Sequence, residues 1–105
     1  MANFVLLYHG GAGMPETKEE GAKVVAAWNT WFGEIGDALI DGGNPVSHVK
    51  TIHANGSVTD GGTGALTGYS VIKADSLEHA VKLAKGCPVR LGGANVEVAE
   101  TFNAM

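Results

Sequence analysis

Residues 66–97 restrict the fold more than any other part of the chain, because a strand, a helix and a second strand follow one another directly there. Residues 69–74 are rich in aromatic and β-branched side chains and come after Gly68, which predicts the first strand. Val96 and Val98 recur at the two-residue period of a strand and predict the second. These three segments specify a fold, but they do not specify a reaction.

The helix between these strands has a predicted boundary at each end. Asp75 is the predicted N-cap, and Glu78 three residues later can accept a hydrogen bond from the N–H of the cap, which makes a capping box. Gly86 allows a left-handed exit and Pro88 prevents continuation. The apolar residues recur at helical spacing in one narrow stripe: Leu77, Ala80, Val81 and Ala84.

The N-terminal half repeats this plan. Residues 4–8 are an uninterrupted apolar run, short enough to be a buried strand rather than a helix. Thr17 and Glu20 predict a second capping box. The helix that follows carries its apolar residues on one side as far as Leu39, and the Gly-Gly-Asn-Pro run at residues 42–45 is its predicted end.

A hairpin is predicted after the first helix. Residues 48–54 and 57–60 flank Asn55-Gly56, a pair that tolerates the positive φ angles of a type I′ turn. The resulting order is strand, helix, strand, hairpin return, helix, strand. This is the plan of a ferredoxin-like split βαβ fold with an antiparallel sheet, so the predicted fold class is α+β.

Two strands predict that both faces of the sheet are covered. In an antiparallel sheet with one solvent-exposed face, apolar and polar residues alternate along each strand. Residues 4–8 do not alternate, and Val71 and Ile72 are adjacent apolar residues in another strand. The helices of such a fold cover one face, and the chain has no spare element for the other. A second copy is the expected cover, and two sheets packed face to face give a dimeric α+β barrel.

Composition favours one small domain spanning residues 1–105. The chain contains no apolar run long enough to span a bilayer and no predicted signal peptide. Its net charge of -4, with scattered Lys and Arg, argues against a nucleic-acid surface. One cysteine cannot form an internal disulfide, which favours a reducing compartment. We therefore expect a cytoplasmic protein that binds neither nucleic acid nor membrane.

Seven segments resemble the YCII-related family, and they occur in order over nearly the whole chain. The first of them reads Phe-Val-Leu-Leu-Tyr-His-Gly-Gly, and the set is residues 4–11, 28–32, 43–45, 56–60, 68–72, 84–88 and 93–98. The resemblance implies a single YCII-related domain that forms a dimeric α+β barrel. It implies little about activity, because most members of the family have no assigned function.

The chain departs from the family pattern at two places. In many relatives, Gly-Pro-Phe follows the Asp that corresponds to Asp60, whereas residues 61–63 here are Gly-Gly-Thr. Other members pair a His on the first helix with an Asp, but residues 16–39 contain no histidine. His9, from a different element, is the nearest substitute.

His9 and Asp60 are the candidate catalytic residues. His9 ends the first strand before a glycine-rich stretch that leaves space around it, and an imidazole at the mouth of a cleft suits proton transfer at physiological pH. Asp60 closes the hairpin return and can receive or orient that proton if the two strand ends meet. The structural alternatives are a strand-end His bonded to a backbone carbonyl and a turn Asp that caps local N–H groups.

Trp28, Trp31 and Ser70 are the candidate ligand-binding residues. The two tryptophans and Phe32 form an aromatic cluster on the first helix that can wall an apolar pocket above the sheet, although aromatic stripes at this spacing are mostly core. Ser70 and Tyr69 point to opposite faces of the sheet, so only one of them faces such a pocket.

No cofactor or metal is predicted. The glycines after the first strand lack the third glycine of a dinucleotide fingerprint, since Glu16 stands in its place. His48 and His53 lie an odd number of residues apart on one predicted strand, so they face opposite ways and do not share a metal. Cys87 has no adjacent base and is expected to be a packed thiol.

Two functional classes remain open. One is a cofactor-free isomerase- or lyase-type enzyme that acts on a small apolar, aromatic or enol-type molecule by proton transfer through His9 and Asp60, an expectation from family analogy. The other is a non-catalytic module that binds a small ligand or a protein partner.

Overall fold

The computed structural model describes residues 1–11, 16–62 and 64–104 of the chain. Within these ranges the elements in chain order are β1 (Ala2–His9), α1 (Lys18–Ile35), β2 (Leu39–Asp41), β3 (Lys50–Ile52), β4 (Val58–Asp60), β5 (Leu66–Ala74), α2 (Leu77–Ala84) and β6 (Asn95–Glu100). A short 3-10 helix follows each α-helix, at Gly36–Ala38 and Pro88–Gly92. The protein is α+β, as the sequence predicts. None of the helices in the described ranges is long and apolar enough to cross a membrane.

Four strands form the main sheet in the order β2-β5-β1-β6, and every neighbouring pair is antiparallel. Because β1 and β2 both run antiparallel to β5, they are parallel to each other and separated by it. β3 and β4 form a second, two-stranded antiparallel sheet. The central position of β1 between β5 and β6 determines which side chains can meet at its C-terminal end.

The core lies between the helices and one face of the main sheet. Burial alternates along β1 and β5, as expected where successive side chains point to opposite faces. The sheet contributes Phe4, Leu6, Tyr8, Ile72 and Ala74, and the helices contribute Trp31, Ile35, Ala80 and Ala84. Burying these apolar side chains is the main favourable contribution to folding.

The opposite face of the main sheet is also apolar but only partly buried. Val5 stands directly opposite Val71, and Leu7 stands opposite Tyr69, so these four side chains form one patch. All four are partly exposed, because both helices pack against the other face. We call this surface, with His9 and Lys73 at its two ends, the open face. The sequence predicted this apolar second face, because apolar and polar residues do not alternate over residues 4–8.

The start of α2 corrects one prediction. The N-cap is Ser76 rather than Asp75, and its hydroxyl accepts a hydrogen bond from the N–H of His79 at 3.0 Å. The N–H of Asp75 donates to Nδ1 of His79 at 3.1 Å, so a histidine takes the part that was predicted for Glu78. Both Asp75 and Ser76 are good caps, and the choice follows from where the chain leaves β5.

We expect Ser76→Ala to destabilise the protein by about 1 kcal/mol, because it leaves an N–H at the start of α2 without its partner. Asp75→Ala is the matched control, and it should cost less because the Asp75 side chain does not cap the helix. Urea unfolding of both variants measures the difference. A larger loss in Asp75→Ala would contradict the assignment of the cap.

α1 begins as predicted but ends earlier. Thr17 is its N-cap and accepts a hydrogen bond from the N–H of Glu20 at 3.1 Å, whereas Glu20 accepts from the N–H of Glu16. The helix ends at Ile35, where Gly36 has a φ of +53°. The predicted continuation to Leu39 was wrong, since Leu39 begins β2 and pairs with Ile72.

The hairpin of β3 and β4 forms where it was predicted, but its turn differs. The N–H of Gly56 donates to the carbonyl of His53 at 2.8 Å, and Gly56 has a φ of +91°. In the described ranges no residue other than glycine has a positive φ, so Asn55 does not adopt the conformation that a type I′ turn requires. A positive φ at the last turn residue is typical of a type I turn followed by a glycine bulge.

Candidate functional site

His9 lies at the C-terminal end of β1, on the open face, and its side chain is 21% exposed. Its Nε2 atom is in contact with Oε1 of Glu97 on β6, an ion pair when the imidazole is protonated. Glu97 reaches the same face because it stands directly opposite Leu7. The carboxylate is 65% exposed, so the pair lies at the border between the sheet surface and water.

Gly64 contacts the other ring nitrogen of His9. A Cβ atom at this glycine would lie 3.3 Å from Nδ1, and the residue has a φ of +73°, which side chains rarely adopt. A side chain at position 64 would therefore crowd the Nδ1 edge of the imidazole. His9 thus has a carboxylate beside Nε2 and the backbone of a glycine near Nδ1.

Asp60 is at the end of β4, in the separate two-stranded sheet, where it faces Lys50 across the hairpin. Its carboxylate pairs with the ammonium group of Lys50, and its side chain is 87% exposed. The structure thus brings His9 together with Glu97, and Asp60 together with Lys50. Glu97 was missed in the sequence because its approach to His9 depends on the register between β1 and β6.

The two tryptophans lie in the layer between α1 and the sheet. Trp31 is buried, and its indole N–H donates to the carbonyl of Leu83 at 3.0 Å. Trp28 is partly buried and lies 5.9 Å from the ring centre of Tyr8 and 5.5 Å from that of Phe32. The two tryptophans therefore pack in the core, on the face of the sheet opposite His9, and do not wall a pocket together with it.

Ser70 faces the helices and is fully buried. It accepts a hydrogen bond from the hydroxyl of Tyr8 at 2.6 Å and donates to the carbonyl of Gly42 at 2.8 Å. Burial raises the pKa of Tyr8, so the phenol stays protonated and remains a donor. These bonds connect β1, β5 and the segment after β2, which favours a structural role for the serine.

Cys87 is also buried, and burial raises the pKa of its thiol. A thiol whose pKa is raised by apolar surroundings is a poor nucleophile. Within residues 1–11, 16–62 and 64–104, no three His, Cys, Asp or Glu side chains are grouped so that they could hold a metal ion. Among the described residues, the pair of His9 and Glu97 is the arrangement best suited to proton transfer.

No protein-family model matches the chain, and no curated protein matches it at a significant level.

Proposed function

We propose that the chain is a YCII-related, small-molecule-binding protein with a ferredoxin-like fold. The strand order supports this fold, because β1 and β2 run parallel with β5 between them, as a split βαβ unit requires. The crossover from β5 through α2 to β6 supplies the second βαβ unit, since β5 and β6 both run antiparallel to β1.

The working form that we propose is a homodimer packed through the open face, which gives a dimeric α+β barrel. The support is the patch formed by Val5, Leu7, Tyr69 and Val71, which no described helix packs against. A sheet is stable with one solvent-exposed face when that face is polar. Covering an apolar face lowers the free energy, because apolar surface is removed from water. A second copy presents the same patch, so one symmetric contact covers both.

At His9 we propose cofactor-free proton transfer of the isomerase or lyase type on a small apolar or aromatic molecule. The observation that carries this proposal is the contact between Nε2 of His9 and the carboxylate of Glu97. A carboxylate beside one ring nitrogen favours a proton there, so the other nitrogen is left to act as a base. In this structure Nε2 of His9 is buried and makes no hydrogen bond among the described residues, so the support is the proximity of the two groups. Glu97 then has the role that the sequence analysis assigned to Asp60.

The surroundings of His9 support an apolar ligand. Leu7 lies two residues before the histidine on β1 and stands opposite Tyr69 on β5, and both are partly exposed within one chain. In the proposed dimer, the ligand would contact these two side chains at the edge of the interface, and Val5 and Val71 would lie nearer its centre. Glycine at position 64 keeps side-chain atoms away from Nδ1, the nitrogen that we propose as the base. A small molecule with an acidic C–H bond next to a carbonyl group has the chemistry that such a base can act on.

Exchange of deuterium into β-tetralone, followed by NMR in heavy water, tests this function. We expect catalysed exchange, with a loss of about 100-fold or more in His9→Gln and a smaller loss in Glu97→Gln, since general-base catalysis typically contributes at least that factor. His53→Gln changes an exposed histidine on the hairpin and is the matched control. Exchange that is unaffected by His9→Gln contradicts the proposal, and binding without exchange favours the non-catalytic module.

A further inference from the structure

A cleft lies away from His9, between α2 and β6, and has a volume of about 170 Å³. Five of its lining residues are apolar: Val81 and Ala84 from α2, Ala94 just before β6, and Val96 and Val98 from β6. Because side chains alternate along a strand, these two valines point to the face opposite Glu97. The cleft and the pair of His9 and Glu97 are thus on opposite sides of the sheet.

The polar lining of the cleft is cationic. Lys85 and Arg90 line it together with the uncharged Asn95, and no carboxylate is among its lining residues. The chain as a whole carries a net charge of -4, with seven Lys and Arg residues in total. Two of those seven cations therefore line a single cleft whose described lining residues include no carboxylate.

The carbonyl groups at the end of α2 have hydrogen-bond partners, so they repel an anion only weakly. The last carbonyl groups of a helix carry partial negative charge when they lack partners. Here the carbonyl of Ala84 accepts from the N–H of Cys87 at 3.0 Å, and that of Leu83 accepts from the indole of Trp31. The carbonyl of Lys85 accepts from the guanidinium of Arg90. This bond uses one of the five guanidinium donors, so the others can contact a ligand.

We propose that this cleft binds a small apolar monocarboxylate, with its hydrocarbon part against the valines and its carboxylate at Lys85 and Arg90. Arginine suits this role because its planar fork of donors matches a carboxylate. The volume is below the ~300 Å³ at which pockets for drug-sized ligands begin, so the ligand is small. The inference does not depend on the proposed function of His9.

Titration of the 15N-labelled protein with hexanoate, followed by amide chemical shifts, tests this site. We expect saturable shifts concentrated at residues 94–98 and in the last turn of α2, with weaker binding of the neutral isostere hexanamide by about fivefold or more, since an ion pair is lost. Arg90→Gln and Lys85→Gln should each weaken hexanoate binding. Lys82→Gln removes the same charge from α2 outside the cleft lining and should leave binding unchanged.

Two results with the unmodified protein would overturn the inference. One is the absence of saturable shifts at residues 94–98 at millimolar hexanoate. The other is equal binding of hexanamide and hexanoate, which would leave the cations without a role. Because Arg90 also binds the carbonyl of Lys85, Lys85→Gln keeps the test decisive if Arg90→Gln disturbs the fold. Unchanged hexanoate binding in Lys85→Gln would count against the site in the same way.

Discussion

Gly43→Ala should destabilise the folded protein by about 3 kcal/mol or more, although it adds a single methyl group. Gly43 has a φ of +75°, and a Cβ atom there would lie 1.7 Å from the carbonyl oxygen of Tyr69. That oxygen belongs to the backbone of β5, so it cannot move aside without displacing a strand in the middle of the sheet. The chain after β2 passes so close to β5 that only glycine fits.

Gly33→Ala is the matched control for this substitution. Gly33 lies within α1, and nothing lies within 4 Å of the position that its Cβ would occupy. Alanine has the higher helix propensity, so this variant should be more stable than the parent by roughly 0.5–1 kcal/mol. Urea unfolding measures both free energies. A Gly43→Ala protein as stable as the parent would contradict the close approach of residue 43 to β5.

The second large effect is expected at Leu6, where lysine should prevent folding. Leu6 is fully buried between the sheet and the helices, and an unpaired charge in such a place costs several kcal/mol, roughly the whole stability of many small domains. Val71→Lys introduces the same positive charge on the open face. This variant should stay folded, since Val71 is only partly buried within one chain, but the proposed dimer should dissociate.

Circular dichroism and size-exclusion chromatography distinguish the two variants. Leu6→Lys should lose its helical signal or fail to accumulate, whereas Val71→Lys should keep the signal and elute as the smaller species. If Val71→Lys unfolds in the same way as Leu6→Lys, the two faces of the sheet are equally buried within one chain. If it remains a dimer, the proposed contact through the open face is wrong.

The elements with strong local signals could be predicted from the sequence. Thr17, with its hydroxyl before an apolar helical stripe, identified the start of α1, and the Asn55-Gly56 pair identified the hairpin. β2 was missed because it has three residues, and its residues also fit the helical pattern of α1. Strand pairing with β5 decides its conformation, and this is a tertiary contact that local propensity does not contain.

The candidate site was less predictable for the same physical reason. His9 could be identified from its position at the end of a strand, next to glycines that leave space around it. Glu97 could not, because its approach to His9 depends on β6 pairing with β1 in one register, and a slip of one residue would turn its side chain to the other face. Ser70 presented a choice between two faces, and its burial beneath the helices resolves that choice.

Sedimentation equilibrium of the unmodified chain over a range of micromolar concentrations tests the central claim most directly, because the proposed working form is a dimer packed through the open face. We predict a species of twice the 10.8 kDa chain mass. Such a dimer would bury the patch of Val5, Leu7, Tyr69 and Val71 in a symmetric contact. A single species with the mass of one chain at every concentration would contradict the account.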